Sequence, residues 1–282
     1  MIVVGVDESA PGDAAIDWAM RRAERLNCPV KLVHSVYDTW LAEGYGYYDS
    51  ILEAENKLLR DAQAKASAIA PGVAVSTELR HGNAPRELSE FSDEASLIVV
   101  GTGKKGRLQG SLFGSVSLQV ASMSRCPVAI IPLLEDPEGT VRSGVIVGID
   151  GSTDSVTAVR IAAAEADRTG QELTAIYAPP TPSATALRNI PTDSIRERMD
   201  EERVVLAEAV AGLTDRYPDL VVHQRLVEDA APARVLVDAA RTAQLLVVGS
   251  HGRGALRRLM MGSVSHEVLL HISSPTIITR IR

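Results

Sequence analysis

The feature that most constrains the fold is that this chain is written twice. The opening segment Val4-Gly5-Val6-Asp7-Glu8-Ser9 returns as Val147-Gly148-Ile149-Asp150-Gly151-Ser152, and each copy runs on into an alanine-rich amphipathic stretch. Late in each half, Val99 through Ser117 returns without a gap as Val247 through Ser265, with 9 of 19 positions identical. Both halves close on a short apolar run, Cys126-Pro127-Val128-Ala129-Ile130-Ile131 and Ser274-Pro275-Thr276-Ile277-Ile278-Thr279. A repeat of this length places a whole domain in each half. The acidic, Pro/Gly-bearing stretch Glu135-Asp136-Pro137-Glu138-Gly139-Thr140 reads as the linker between them, giving domains at 1–136 and 142–282.

Within each half, short β-branched runs alternate with longer stretches whose apolar residues recur every three or four positions. In the first half the runs are Ile2 to Val6, Val30 to Val36, Val73 to Leu79, Leu97 to Val100 and Val128 to Ile131. Between the first two, Ile16, Ala19, Met20, Ala23 and Leu26 fall on one helical face. Near-continuous apolar strands alternating with helices indicate a parallel sheet covered on both faces. The expectation is an α/β protein of two tandem open five-stranded parallel sheets, each of order 3-2-1-4-5, with helices on both faces.

Composition narrows the partners. With 45% hydrophobic residues there is ample material for a core, and a net charge of −7 opposes non-specific attraction to a phosphate backbone, so nucleic acid is not expected as the main partner. No apolar run reaches the roughly 18 residues that cross a bilayer, and the opening MIVVGVDES lacks a secretory pattern. Two cysteines, Cys28 and Cys126, do not make a disulfide framework, and no histidine pair has metal-ligand spacing. These readings give the expectation of a cytoplasmic protein with no membrane partner and no metal-ligand cluster.

The glycines carry the chemistry. Gly101-Thr102-Gly103-Lys104-Lys105-Gly106 matches a dinucleotide fingerprint by letter, but no acidic residue follows between 107 and 134 to hold a ribose. It fails as a phosphate-binding P-loop too, because Arg107 and Leu108 stand where Lys and Ser/Thr are needed. What both halves share is a glycine ending the fourth strand, a basic glycine-bearing loop, and a Gly-Ser pair opening a helix thirteen positions later. In the second half this reads Gly249, Gly252, Gly262, Ser263. Gly249 lets a ligand approach the backbone, Gly252 is expected to take a positive φ, and Ser263 is expected to cap a helix whose free N–H groups favour phosphate. Arg253, Arg257 and Arg258 can add charge-assisted bonds or stay solvated.

With strand order 3-2-1-4-5, strands 1 and 4 are neighbours and their loops diverge, so Asp150 is expected to face the Gly249 loop across one crevice. There it can take a ribose hydroxyl or a metal; alternatively Asp150 and Asp7 cap the helices that follow them.

These residues resemble the universal stress protein family in its tandem two-domain form, and the resemblance covers essentially the whole chain twice. It implies ATP as the ligand, with or without magnesium. In the second half it implies phosphate contacts at Gly249, Gly252, Gly262 and Ser263, with Val264 and Ser265 lining the same turn. It implies adenosine contacts at Gly148, Ile149, Asp150 and Ile176. Carried to the first half, the matching positions are Gly5, Val6, Asp7, Ser35, Gly101, Gly114, Ser115, Val116 and Ser117. The first half departs where Lys104 replaces the counterpart of Gly252: its Cβ would strain a positive-φ turn, whereas its ammonium would neutralise phosphate.

The function expected on this basis is a nucleotide-gated module of the stress response, with at most weak ATPase activity and an unidentified protein partner. It further implies pairing of the two halves as an intrachain pseudo-dimer and a homodimer beyond that. The alternatives are a slow ATPase or nucleotidyl-transfer enzyme, and a scaffold independent of nucleotide. Tyr37, Trp40, Tyr45, Tyr47 and Tyr48 crowd one loop that forms a lid, a partner surface, or a segment folded onto its own domain. His251 lies within the phosphate loop, where it can touch ligand.

Overall fold

The structure is a computed structural model that describes residues 1–36, 45–103, 115–134, 141–179, 192–228, 230–252 and 261–280. The linker, Lys104, Gly114, Arg253, Arg257, Arg258 and the first part of the aromatic loop lie outside the described residues, as do the side chains of Tyr45, Tyr47, Tyr48 and Ser115. The chain divides into two compact units, Met1–Glu135 and Asp136–Ile281.

In the first unit β1 (Ile2–Gly5), β2 (Val30–Val36), β3 (Val75–His81), β4 (Leu97–Thr102) and β5 (Val128–Pro132) form a sheet of order β3-β2-β1-β4-β5. Among the described residues they are accompanied by α1 (Ala10–Leu26), α2 (Tyr45–Ile69), α3 (Ala84–Glu90), a 3-10 turn (Phe91–Asp93) and α4 (Ser115–Met123). The second unit repeats the plan. Its strands are β6 (Val145–Ile149), β7 (Leu173–Tyr177), β8 (Val222–Leu226), β9 (Leu245–Gly249) and β10 (Thr276–Thr279), in the order β8-β7-β6-β9-β10. Its helices are α5 (Thr153–Thr169), α6 (Thr192–Val210), α7 (Leu213–Arg216), α8 (Pro232–Ala240) and α9 (Ser263–Leu270). The strand pairings within each unit are parallel, as the unbroken apolar runs require.

The central strands are the core: Ile2, Val3 and Val4 are fully buried, as are Val147, Leu173 and Ala175 in the second unit. Helix α1 turns Ala15, Ile16, Ala19, Met20 and Ala23 inward, the face read from the sequence, while Leu26 is only half-buried at its end. Strand β3 runs 75–81 and not 73–79. It is the edge strand, with no fully buried residue, and its extent is set by pairing with β2 from Val30↔Val75 to Val36↔His81 and not by its own apolar residues.

The strand 1 to helix turns are built alike. Ser9 caps α1 by accepting from Gly12 N at 3.1 Å, and Ser152 caps α5 by accepting from Ser155 N at 3.2 Å. The cap therefore belongs to serine, the better placed of two good capping types. The aspartates brace the turn instead: Asp7 Oδ1 accepts from Ser9 N at 3.1 Å and Asp150 Oδ1 accepts from Ser152 N at 2.9 Å.

Candidate functional site

At the carboxyl end of the second sheet a cavity of about 560 Å³ opens where β6 and β9 lie side by side. Gly148, Ile149, Asp150, Ile176, Gly249, Gly252, Gly262, Ser263, Val264 and Ser265 all line it. Part of its lining is apolar, with Ile149, Ile176, Ala178, Leu236 and Val248 each under 9% exposed, together with Pro232. The rest includes the loop glycines and the start of α9. Tyr177, Ser155, Glu202 and His251 complete the wall; the first three, like Pro232 and Leu236, are brought in by α5, α6, α8 and the end of β7, and no motif marked them.

The start of α9 differs from the sequence expectation. Gly262, at φ −63° and ψ 153°, is the N-cap; Ser263 is the first helical residue and its side chain is not the cap. The turn is closed from elsewhere. Gly262 N donates to Ser250 O at 2.7 Å, and Ser265 Oγ donates to Ser250 O at 3.0 Å and to Gly262 O at 3.1 Å. With no side chain capping them, the first N–H groups of α9 are left for a ligand, and the positive end of the helix dipole favours an anion there.

Gly252 is also a glycine for a reason the sequence did not supply. Its φ is not positive. A Cβ at Gly252 would lie 2.7 Å from Asp150 Oδ2, so the residue is small because the loop and the carboxylate face each other across the crevice. Gly249 is similarly confined, since its Cβ would stand 2.9 Å from Asp154 Cβ and 3.1 Å from the Asp154 carbonyl carbon. Gly148 lies under Leu236, whose Cδ1 would be 2.9 Å from an added Cβ; in the first unit Gly5 lies under Leu88 in the same way at 2.8 Å.

Asp154, in the first turn of α5, ties this loop down. Its Oδ2 accepts from Ser250 Oγ at 2.8 Å, from His251 N at 3.0 Å, and lies 3.2 Å from His251 Nδ1. Ser250 Oγ is also 2.8 Å from His251 Nδ1. Thr279 Oγ1 donates to Asp154 O at 3.2 Å, joining the end of β10 to the same point. Burial holds the nearby Arg280 guanidinium below the ordinary arginine value, and the charge of Asp154 works against that shift.

The first unit places its matching residues at the same strand ends with different chemistry. Val6 N donates to Val33 O, Asp7 Oδ1 takes Ser9 N and Ser9 Oγ, and Ser35 Oγ donates to Gly82 O at 3.0 Å. Ser117 is buried with its Oγ 3.4 Å from Thr102 Oγ1, whereas Val116 faces outward. Pro11 stands at the counterpart of Asp154 and packs where Gly101 and Gly103 would carry a Cβ. Among the described residues, no group of three or more His, Cys, Asp or Glu could hold a metal ion, and no helix is long and apolar enough to cross a membrane.

Two tandem α/β units with this strand order and this glycine spacing define the class, and the chain belongs to the universal stress protein family: the family model matches residues 1–132 and again 143–280. A universal stress protein of Mycolicibacterium smegmatis is 35% identical over 291 residues, spanning 100% of this chain and 97% of that one. A universal stress protein of Mycobacterium tuberculosis strain H37Rv is 36% identical over 301 residues, spanning 99% and 95%. Among solved structures, a universal stress protein from Archaeoglobus fulgidus shares the fold with a TM-score of 0.72 at 20% identity, covering 99% of this chain and 98% of that one.

Proposed function

We propose that the second unit binds an adenine nucleotide, ATP in the first place, and that the protein acts as a nucleotide-gated module of the stress response. The observation that carries this reading is the mixed lining of one cavity: apolar side chains at Ile176 and Leu236, a carboxylate at Asp150 that can accept from hydroxyls, and an open helix start at Gly262 to Ser265 that favours negative charge. A flat aromatic base, a ribose and a phosphate chain have the matching set of chemistries. The residues suit such a ligand, because the loop glycines leave no Cβ between Asp150, Asp154 and the space beside them. A magnesium ion, where present, would sit on phosphate oxygens with Asp150 as the nearby carboxylate.

The first unit has Pro11 and no carboxylate at the position matching Asp154, which supports the second unit as the primary site. Pairing of the two halves through their apolar last strands, assembly as a homodimer, and a cytoplasmic location belong to the same proposal. The test is to purify the protein, extract it with acid and chromatograph the supernatant. Bound ATP supports the binding module, ADP points to turnover, and absence of any nucleotide supports a scaffold.

A further inference from the structure

The strand registers show what the first unit holds where the second has part of its cavity wall. Gly5 pairs with Val33 as Gly148 pairs with Ile176, so the next two residues, Val6 and His34, match Ile149 and Tyr177. The same register makes Val33, and not Ser35, the counterpart of Ile176. The helices that follow match too. Glu55 stands four residues before Leu59 of α2 and Glu202 four before Leu206 of α6, and both leucines are 4% exposed. Ile149, Tyr177 and Glu202 all line the open cavity. Their three counterparts are instead tied together.

His34 Nδ1 lies 2.7 Å from Val6 O, and its Nε2 lies 2.9 Å from Glu55 Oε2. A carbonyl oxygen only accepts, so Nδ1 donates to the strand tip while Nε2 is held by the helix. Both ring nitrogens are engaged, and the His34 side chain is only 15% exposed. A ligand lodged among these residues would have to part the ring from both partners and leave a carbonyl and a carboxylate to be satisfied anew. We propose that Val6, His34 and Glu55 form a plug: the first unit fills with its own side chains the place that the second unit keeps open for a nucleoside, and so excludes that ligand. This rests on the nucleotide reading of the second unit and adds why the twin unit does not share it. Pro11 changes the start of α1, whereas the plug joins β2 to α2, so the two differences are separate. Side chains on a repeated scaffold make the contact, and shortening one of them opens it.

The experiment is photolabelling of the full chain with an azidoadenosine, the labelled peptides being mapped by mass spectrometry, beside equilibrium dialysis with adenosine. The proteins are the wild type, His34→Ala and Glu55→Gln, each checked by circular dichroism. Adenosine carries no phosphate, so the readout does not depend on the phosphate loops. The wild type binds at one site per chain and is labelled only within 142–282. In His34→Ala the number of sites rises from one to two, and label enters the first unit. Glu55→Gln keeps a hydrogen-bonding partner for the ring and stays at one site. Label within the first unit of the wild type overturns the plug even where His34→Ala loses its fold. A folded His34→Ala that is still labelled in the second unit alone overturns it too, and either result leaves the nucleotide reading intact. A wild type labelled in neither unit overturns the nucleotide reading and the plug with it.

Discussion

Asp150 and Gly252 face each other so closely that a single methyl group on the glycine would stand 2.7 Å from the aspartate carboxylate oxygen. The two come from the tips of adjacent strands, β6 and β9, and the gap between them is the floor of the crevice. Because the Gly252 φ is not positive, an added side chain here acts through space and not through backbone strain.

Asp154 is expected to hold the loop as well as to shape the site. Asp154→Ala removes the acceptor of Ser250 Oγ and of the half-buried His251 amide, while Ser250 Oγ keeps His251 Nδ1 as a neighbour, a loss of about 1–3 kcal/mol. Asp154→Asn keeps an acceptor oxygen and costs less. Urea denaturation of the two variants against wild type checks the order.

The glycines at the first-strand tips should respond alike in the two units. Gly148→Ala drives a methyl onto Leu236 and Gly5→Ala drives one onto Leu88. Each is expected to cost about 1–3 kcal/mol, the usual range for overpacking. Denaturation midpoints of the two single variants measure this, and a much smaller effect at Gly148 would mean that Leu236 yields into the cavity.

The serine caps give a third check. Ser9→Ala and Ser152→Ala each remove the side-chain acceptor for the first turn of a long helix, and each should cost about 1 kcal/mol. Asp7→Ala and Asp150→Ala should cost less, since those carboxylates brace the turn without capping the helix. Thermal melts followed by circular dichroism distinguish the two pairs.

The repeat, the strand order and most of the cavity wall were legible in the chain, because glycine-ended strands of β-branched residues leave a strong pattern and the second copy repeats it. Two local readings failed for physical reasons. Ser263 reads as a cap by residue type, yet the backbone of Gly262 takes the cap conformation and Ser265 and Ser250 close the turn around it. Gly252 reads as a conformational glycine, yet it is a spatial one. The Asp154 cluster was hidden more deeply. Its partners are 96 and 97 residues apart in sequence, and the first copy carries proline and glycine at the matching positions, so comparison of the halves gives no signal. Leu236, Pro232 and Glu202 enter the wall only through the packing of helices against the sheet, which spacing along the chain does not encode.

The most direct measurement is calorimetric titration of ATP into the wild type and into Gly252→Val. The account predicts close to one ATP per chain in the second unit of the wild type, with affinity reduced at least about tenfold in a variant that keeps its circular dichroism spectrum. A wild type that takes up no ATP, or a Gly252→Val variant that binds with unchanged stoichiometry and affinity, would contradict it.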